Sequence, residues 1–329
     1  MDYFWLILGF ITLIIGGDFL VKGAVGLALK VQISNLVIGM TVVSFGTSAP
    51  ELLVSMGAAL KGGDESHMSI GNVIGSNIAN LALVLGVTAL IYPIKVQKES
   101  LKQDWPVMFF ATILFVVFMT FFDGDELFIN QWEGIVLFSL IIIFTIFLIW
   151  KSRKQYLKSA SEKVDGDINS NNSSPLWTNI IFLVLGCVGL VFGSTWLLNA
   201  ATNIATNAGV SPFIIGVTIL AFGTSVPELV ASSIAAYRKQ TDIAIGNLIG
   251  SNIFNILCVV GLTGSVAKMP LKENVLEFDA WWMIGIAFII FPFMLLGGKI
   301  HRWKGAFLVI TYIAYIYFLV TKENIIIGA

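Results

Sequence analysis

Charged side chains are scarce in this chain of 329 residues: 12% are Asp, Glu, Lys or Arg, whereas 57% are hydrophobic. A chain with so little polar surface cannot cover a water-soluble core of this size, so we expect an integral protein of the cell (inner) membrane, in contact with the lipid bilayer. The net charge is −1 and the basic residues form no stripe, which predicts no nucleic-acid partner.

Cysteine and histidine are also rare, with two of each. Cys187 and Cys258 lie in apolar runs, where a buried free thiol is the usual state. The chain has no Ser/His/Asp set, no H-E-x-x-H motif and no phosphate-binding glycine loop. These absences argue against an enzyme, an intramembrane hydrolase included, and they predict no cofactor.

Long apolar runs occupy most of the sequence. A helix of about 20 apolar residues crosses a bilayer, and ten such runs predict an all-α polytopic membrane protein. The predicted spans are 3–29, 34–60, 69–93, 105–122, 130–150, 176–207, 212–237, 243–267, 280–297 and 303–321. A polar segment at 151–175, charged and then rich in Asn and Ser, predicts a flexible linker after the fifth span.

The two halves of the chain repeat each other. The segment "IGMTVVSFGTSAPELLVS" at 38–55 matches "IGVTILAFGTSVPELVAS" at 215–232, and "IGNVIGSNIAN" at 70–80 matches "IGNLIGSNIFN" at 245–255. The offsets, 215 − 38 = 177 and 245 − 70 = 175, are nearly equal and indicate an internal duplication. We therefore expect a first five-helix repeat at 1–150, a cytoplasmic linker at 151–175 and a second five-helix repeat at 176–329. Because five is odd, the second repeat enters the membrane from the opposite side, which predicts inverted topology.

The distribution of Lys and Arg predicts the orientation. Loops that face the cytoplasm are enriched in these residues. With both termini extracytoplasmic, the basic clusters at 95–102, 151–163, 238–239 and 299–304 lie inside. Only Lys61, Lys268, Lys272 and Lys322 then lie outside.

A proline followed by a glutamate interrupts the second and the seventh span, at Pro50–Glu51 and Pro227–Glu228. Proline breaks a helix because it has no N–H for the carbonyl four residues earlier, and a carboxylate at the bilayer centre costs about 2.5 kcal/mol or more. A broken membrane helix is tolerated where it faces protein or a water-filled cavity. A divalent cation would neutralise both acids and bind the freed carbonyls, so we expect both glutamates to be cation ligands.

Further oxygen atoms recur around both glutamates at helical spacing. Carboxylate, hydroxyl, amide and carbonyl oxygens suit a hard cation such as Ca²⁺, whereas copper and zinc prefer softer ligands. Two alternatives to ion binding stay open. Hydroxyls in membrane helices often bond to their own helix, and the GxxxG glycines Gly71, Gly75, Gly246 and Gly250 also fit close helix packing. The residues in this pattern are Ser44, Thr47 and Ser48; Ala221, Thr224 and Ser225; Asn72, Ser76 and Asn80; and Asn247, Ser251 and Asn255.

The paired blocks "GTSAPE…GNVIGSNIAN" and "GTSVPE…GNLIGSNIFN" closely resemble the alpha repeats of the sodium/calcium exchanger family, within the cation/calcium antiporter superfamily. The short linker resembles that of prokaryotic members. The resemblance implies electrogenic exchange of Na⁺ for Ca²⁺ by alternating access, with the first and sixth spans sliding across a rigid core. The implied ion ligands are the carboxylates of Glu51 and Glu228; hydroxyls or carbonyls of Thr47, Ser48, Thr224 and Ser225; the carbonyls of Ser44 and Ala221; and side-chain oxygens of Ser76, Asn80, Ser251 and Asn255.

The sequence departs from some members of that family at Asn255, where they have an aspartate. An amide neither takes up a proton nor adds a charge, so the ion stoichiometry and pH response of those members do not carry over. The transported Ca²⁺ and Na⁺ are the expected partners, and no obligate protein partner is evident.

H⁺-coupled Ca²⁺ exchange and a passive cation channel are the alternatives. The block "GNLIGSNIFN" favours the sodium branch, since the proton-coupled branch more often has an acid just after the GN pair. A duplicated, broken-helix site inside one chain favours alternating access over a pore.

Overall fold

The computed structural model describes residues 1–121, 127–162, 175–210, 221–271 and 275–327. Within these ranges the chain is almost entirely helical. In the first half, α1 is Asp2–Val31, α2 is Asn35–Thr47 with a π-helical turn at Gly39–Val43, α3 is Ala49–Lys61, α4 is Gly63–Ile78 continued through the π-helical turn Ala79–Val84 to Leu85–Ile91, α5 is Trp105–Phe121 after the π-helical turn Ser100–Asp104, and α6 is Gln131–Glu162.

The second half has a closely matching order of helices. Its helices are α7, Leu176–Asn207; α8, Ala221–Gly223; α9, Val226–Tyr237; α10, Thr241–Phe254 continued through the π-helical turn Asn255–Val260 to Gly261–Val266; α11, Ala280–Leu295 after the π-helical turn Val275–Asp279 and before the 3₁₀ turn Leu296–Gly298; and α12, Arg302–Ile327. Four short strands complete the described residues: β1, Ile94–Lys95; β2, Phe128–Ile129; β3, Met269–Pro270; and β4, Lys299–Ile300.

The prediction of a helical membrane protein is confirmed. Eight helices in the described ranges are long and apolar enough to cross a membrane, and the bent pair α2–α3 is a ninth candidate. The first part of the predicted span 212–237 lies outside the described residues, so the count of ten and the inverted repeat stay predictions.

The first part of the predicted flexible linker, from residue 151, is helical in the structure. Helix α6 runs through Glu162, well past the expected end at 150. Residues 151–162, "KSRKQYLKSASE", contain no Gly or Pro, and eight of the twelve are Lys, Arg, Gln, Leu, Ala or Glu, which are good helix formers, so the helix continues beyond the apolar run. The rest of the linker, 163–174, lies outside the described residues.

Helices α1 and α7 pack backbone to backbone through glycines. A Cβ atom on Gly9 would lie 2.7 Å from the Leu197 nitrogen, and one on Gly16 would lie 2.9 Å from the Leu190 nitrogen. Gly23 faces Leu183 in the same way. Residue numbers increase along α1 while those of the contacting residues decrease along α7, so the two helices are antiparallel.

Helices α4 and α10 form the centre of the molecule. Every residue in the most apolar stretch of α10 is buried, as is 72% of that stretch of α4, against 22–33% for the other straight spans. On α10, Gly246 and Gly250 lie against Leu36, Met40 and Ser44 of α2. Close packing, one of the two readings of this GxxxG pair, is therefore what the structure contains.

The two halves interlock through symmetrical contacts. Gly86 of α4 packs against Gly305 of α12, and Gly261 of α10 packs against α6 near Gly134. Antiparallel ribbons repeat this exchange, because β1 pairs with β4 and β2 with β3, each ribbon joining the first half to the second. The halves share one core and do not pack as separate domains.

Candidate functional site

Two helix breaks place the glutamates at the ends of short helices. Helix α2 ends at Thr47, α3 begins at Ala49, and the pair is bent by 46°. Ser48 between them has φ −89° and ψ 7°, and Ser225 between α8 and α9 has φ −85° and ψ 3°. Each proline occupies the first turn of the following helix, where its missing N–H breaks no hydrogen bond. The predicted breaks are confirmed, and they lie just before each proline.

Both glutamates are completely buried. Glu51 and Glu228 have 0% of their surface exposed, in the first turns of α3 and α9. A helix N-terminus stabilises a nearby negative charge, but two completely buried acids still carry a large desolvation cost.

The surroundings of the two acids differ. Ser48 donates a hydrogen bond from Oγ to Glu228 Oε1 at 2.9 Å, across the two halves. The hydroxyls of Thr224 and Ser76 lie beside Glu51. Neither carboxylate oxygen of Glu51, and not Oε2 of Glu228, has a hydrogen-bond partner in the described part of the chain.

The hydroxyls around the acids also pair across the halves. Ser76 Oγ lies 3.0 Å from Thr224 Oγ1, and Ser251 lies near Glu228. Ser44 Oγ donates to the carbonyls of Gly39 and Asn247 at 2.8 Å and 3.1 Å. The carbonyl of Ser44 accepts from Ser48 N at 2.9 Å.

The two predicted amides sit at matching π-helical turns. Asn80 lies in the turn Ala79–Val84 and Asn255 begins the turn Asn255–Val260, and both are 0% exposed. Asn255 Nδ2 donates to Asn77 Oδ1 at 3.2 Å. Single π-turns inside helices are frequent at functional sites because they re-aim side chains and free backbone groups.

Oxygen atoms without partners converge on this centre. Buried polar groups are nearly always paired in proteins, and a cation is a partner that would suit unpaired oxygens around two acids. Among the described residues, no three His, Cys, Asp or Glu side chains come together, so a cation here would be held mainly by hydroxyl, amide and carbonyl oxygens around two acids. The unpaired oxygens of the predicted ligands are both carboxylate oxygens of Glu51, Oε2 of Glu228, Oγ of Ser225 and Ser251, and Oδ1 of Asn80 and Asn255.

The structure therefore brings most of the predicted ligands together. Ser44, Thr47, Ser48, Ser76, Ser225 and Ser251 are buried with the two acids and the two amides, and Thr224 is half-buried. Ala221 is the first residue of α8.

Sequence reasoning missed Asn77, which pairs with Asn255, and the serines Ser55 and Ser232 behind the site. "GSNI" occurs in both halves and contains Asn77 and Asn252, which was the available signal.

The chain matches the family model described as sodium/calcium exchanger protein, over residues 1–150 and 178–321. It is 34% identical to the sodium/calcium exchanger MaX1 of Methanosarcina acetivorans, covering 96% of this chain and 97% of MaX1. It is 32% identical to the inner membrane protein YrbG of Escherichia coli, covering 86% of each.

A solved structure of the sodium–calcium exchanger NCX_Mj, soaked with Na⁺ in the absence of Ca²⁺, superposes with a TM-score of 0.80 at 31% identity, covering 96% of this chain and 98% of that one. These matches extend along nearly the whole chain and include both halves of the site. The chain is an integral membrane transporter that belongs to the sodium/calcium exchanger family.

Proposed function

We propose that this protein is a secondary antiporter that exchanges Na⁺ for Ca²⁺ by alternating access, with net movement of charge. The observation that carries the proposal is the pair of fully buried acids, Glu51 and Glu228, surrounded by unpaired oxygens. Two negative charges neutralise one Ca²⁺ and suit its preference for carboxylate and neutral oxygen ligands. The proposed ligands are the twelve residues that the family resemblance implies: Glu51, Glu228, Thr47, Ser48, Thr224, Ser225, Ser76, Asn80, Ser251 and Asn255, together with Ser44 and Ala221 through their carbonyls.

The stoichiometry determines whether charge moves. Exchange of one Ca²⁺ for two Na⁺ is electrically neutral, whereas a third Na⁺ makes each cycle carry one positive charge. The site offers more oxygens than one Ca²⁺ needs, spread over two symmetrical halves, and this supports occupancy by several Na⁺. We infer that more than two Na⁺ replace each Ca²⁺.

The packing of α1 and α7 supports alternating access. These antiparallel helices contact each other along a glycine seam, which makes them one unit, whereas side chains mediate their contact with α9: Gly17 meets Ile234 and Val230. Asp18 of α1 also forms ion pairs with Lys22 and with Arg238 after α9. A unit that is tight inside itself and joined to the core by side chains can move as one body while the buried site stays intact.

The antiparallel arrangement of α1 and α7 likewise supports inverted five-helix repeats. These helices begin the two proposed repeats, 1–150 and 176–329, and would run in opposite directions if the repeats are inverted. With the basic clusters inside, both termini are extracytoplasmic.

Transport by purified protein in liposomes tests the proposal. With Na⁺ inside and Ca²⁺ outside, an outward Na⁺ gradient should drive uptake of radioactive Ca²⁺. A membrane potential imposed with K⁺ and valinomycin should change the initial rate, because net charge crosses in each cycle. Uptake driven by a pH gradient alone identifies an H⁺-coupled exchanger, and uptake that neither saturates nor accelerates with Ca²⁺ on the opposite side identifies a channel.

A further inference from the structure

Asn72 of α4 does not belong to the proposed ligand set, but it forms a hydrogen bond with Thr224 of the opposite half. Thr224 Oγ1 donates to Asn72 Oδ1 at 3.4 Å. Asn72 Nδ2 donates to Ser55 Oγ at 3.0 Å and to the carbonyl of Glu51 at 3.4 Å. The amide therefore joins the backbone of one proposed ligand to the hydroxyl of another.

The neighbours of Asn72 determine which way its amide faces. A backbone carbonyl only accepts, so the group facing the carbonyl of Glu51 must be the NH₂. Ser55 Oγ uses its proton on the carbonyl of Ser69, at 3.2 Å, and can therefore accept from Asn72. Asn72 Oδ1 consequently faces Thr224 and, because an amide oxygen only accepts, it accepts the hydroxyl proton of Thr224. Ser76 Oγ, 3.0 Å from Thr224 Oγ1, is then the donor in the bond between the two hydroxyls.

Two of these hydrogen bonds recur in the other half, at positions that the internal repeat pairs. Asn247 Nδ2 donates to Ser232 Oγ at 3.0 Å, and Thr47 Oγ1 donates to Asn247 Oδ1 at 3.2 Å, with a longer contact of 3.4 Å to the carbonyl of Ser44. Asn247, Ser232 and Thr47 are all buried. Two independent occurrences, each joining a threonine of one half to an asparagine of the other, argue against a chance contact.

The direction of these bonds matters for a cation. A hydroxyl binds a cation with a lone pair, so its proton must point to another acceptor. An acceptor behind the ligand that fixes this orientation strengthens the site, as partners of metal-bound side chains generally do. Asparagine provides that acceptor without adding negative charge, so the charge of the site stays that of Glu51 and Glu228.

We propose that Asn72 and Asn247 are positioning residues that take the hydroxyl protons of Thr224 and Thr47 and aim the hydroxyl lone pairs at the transported cations. This inference rests on the proposed function, since it requires cations between these helices. It assigns the two asparagines a role in ion affinity that is exerted entirely through the threonines.

A double-mutant cycle tests whether Asn247 acts through Thr47. Ca²⁺ binding to full-length protein in detergent is measured by calorimetry for the wild type, Asn247→Leu, Thr47→Val and the double variant. Each single change should raise the Kd for Ca²⁺ about fivefold to tenfold, the effect of one hydrogen bond. The double variant should bind no more weakly than Thr47→Val, because without the hydroxyl the asparagine has nothing to orient.

Three further variants complete the test. Asn247→Asp retains an acceptor and should bind Ca²⁺ more tightly than Asn247→Leu. Thr112→Val is the matched control, because Thr112 is buried on α5 and donates only to the carbonyl of Met108 in its own helix. It should leave the Kd unchanged. If Asn247→Leu does not purify as a folded protein, Ser232→Ala replaces it in the cycle, and the same lack of additivity is expected.

The outcomes separate the two proposals. Effects of Asn247→Leu and Thr47→Val that multiply in the double variant, while the wild type binds Ca²⁺, overturn the positioning role and leave the proposed function in place. Wild-type protein that binds neither Ca²⁺ nor Na⁺ contradicts the proposed function itself. The same cycle with Asn72→Leu and Thr224→Val should give the same result in the other half.

Discussion

Replacing Glu51 with glutamine removes one of the two buried charges and keeps the shape of the side chain. In the structure both carboxylate oxygens are buried and unpaired among the described residues. A bound cation is the group that would compensate this charge. The substitution should therefore weaken ion binding severely while relieving the ion-free protein of an uncompensated charge.

The size of the effect follows from the burial. Removing one partner of a buried charge pair costs about 3–5 kcal/mol. Because each 1.4 kcal/mol is tenfold in affinity, the Kd for Ca²⁺ should rise at least about a hundredfold. At a Ca²⁺ concentration of about 100 times the wild-type Kd, stabilisation by the ion falls from about 2.7 kcal/mol to about 0.4 kcal/mol.

Thermal unfolding in detergent, with and without Ca²⁺, measures this difference. Wild-type Tm should rise with Ca²⁺, whereas Glu51→Gln should show almost no rise and an ion-free Tm equal to or above that of the wild type. Glu65→Gln is the control, since Glu65 is 57% exposed and pairs with Lys61 at the end of α3. A Ca²⁺-dependent rise in Glu51→Gln as large as in the wild type would refute the assignment of Glu51 as a ligand.

Three other predictions test neighbouring parts of the argument. Asn255→Asp adds a third acid that can take up a proton, so Ca²⁺ uptake should become weaker as the pH falls; a pH profile identical to that of the wild type contradicts this placement. Gly16→Ala forces a Cβ against the backbone of α7 and should lower stability by about 1–3 kcal/mol in thermal unfolding, whereas Gly285→Ala, with no atom of the described residues within 4 Å, should not. A protease added to sealed vesicles of known orientation should cleave the segment 163–174 only when the cytoplasmic face is outside, and cleavage from the other face contradicts the proposed topology.

Much of the site could be predicted from local patterns. A proline followed by a glutamate in an apolar run predicts a broken helix and a functional acid, as at Pro50–Glu51 and Pro227–Glu228. The missing N–H of proline and the cost of a buried charge are local properties, so they can be recognised without the fold. The matching blocks in the two halves indicated that these features form one site. The burial of both glutamates agrees with that reasoning.

The limits of local reasoning appear at Asn77 and at the end of α6. Asn77 is one of several polar residues on α4, and only the approach of α10 makes it the partner of Asn255. The change from apolar to polar residues at 151 ends the membrane segment, but the helix continues to Glu162, because helix propensity and hydropathy are separate properties.

The amino-acid sequence by itself determined the membrane setting, the helical class, the duplication and the chemical identity of the proposed ligands, since these follow from composition and from spacing along one helix. Only the tertiary structure decided which hydroxyl bonds which acid or amide. Ser48 pairs with Glu228, Thr47 with Asn247 and Thr224 with Asn72, always across the two halves. Each pair joins residues more than 150 positions apart in the chain. The pairs form because the two halves pack together around α4 and α10 at the buried centre of the molecule.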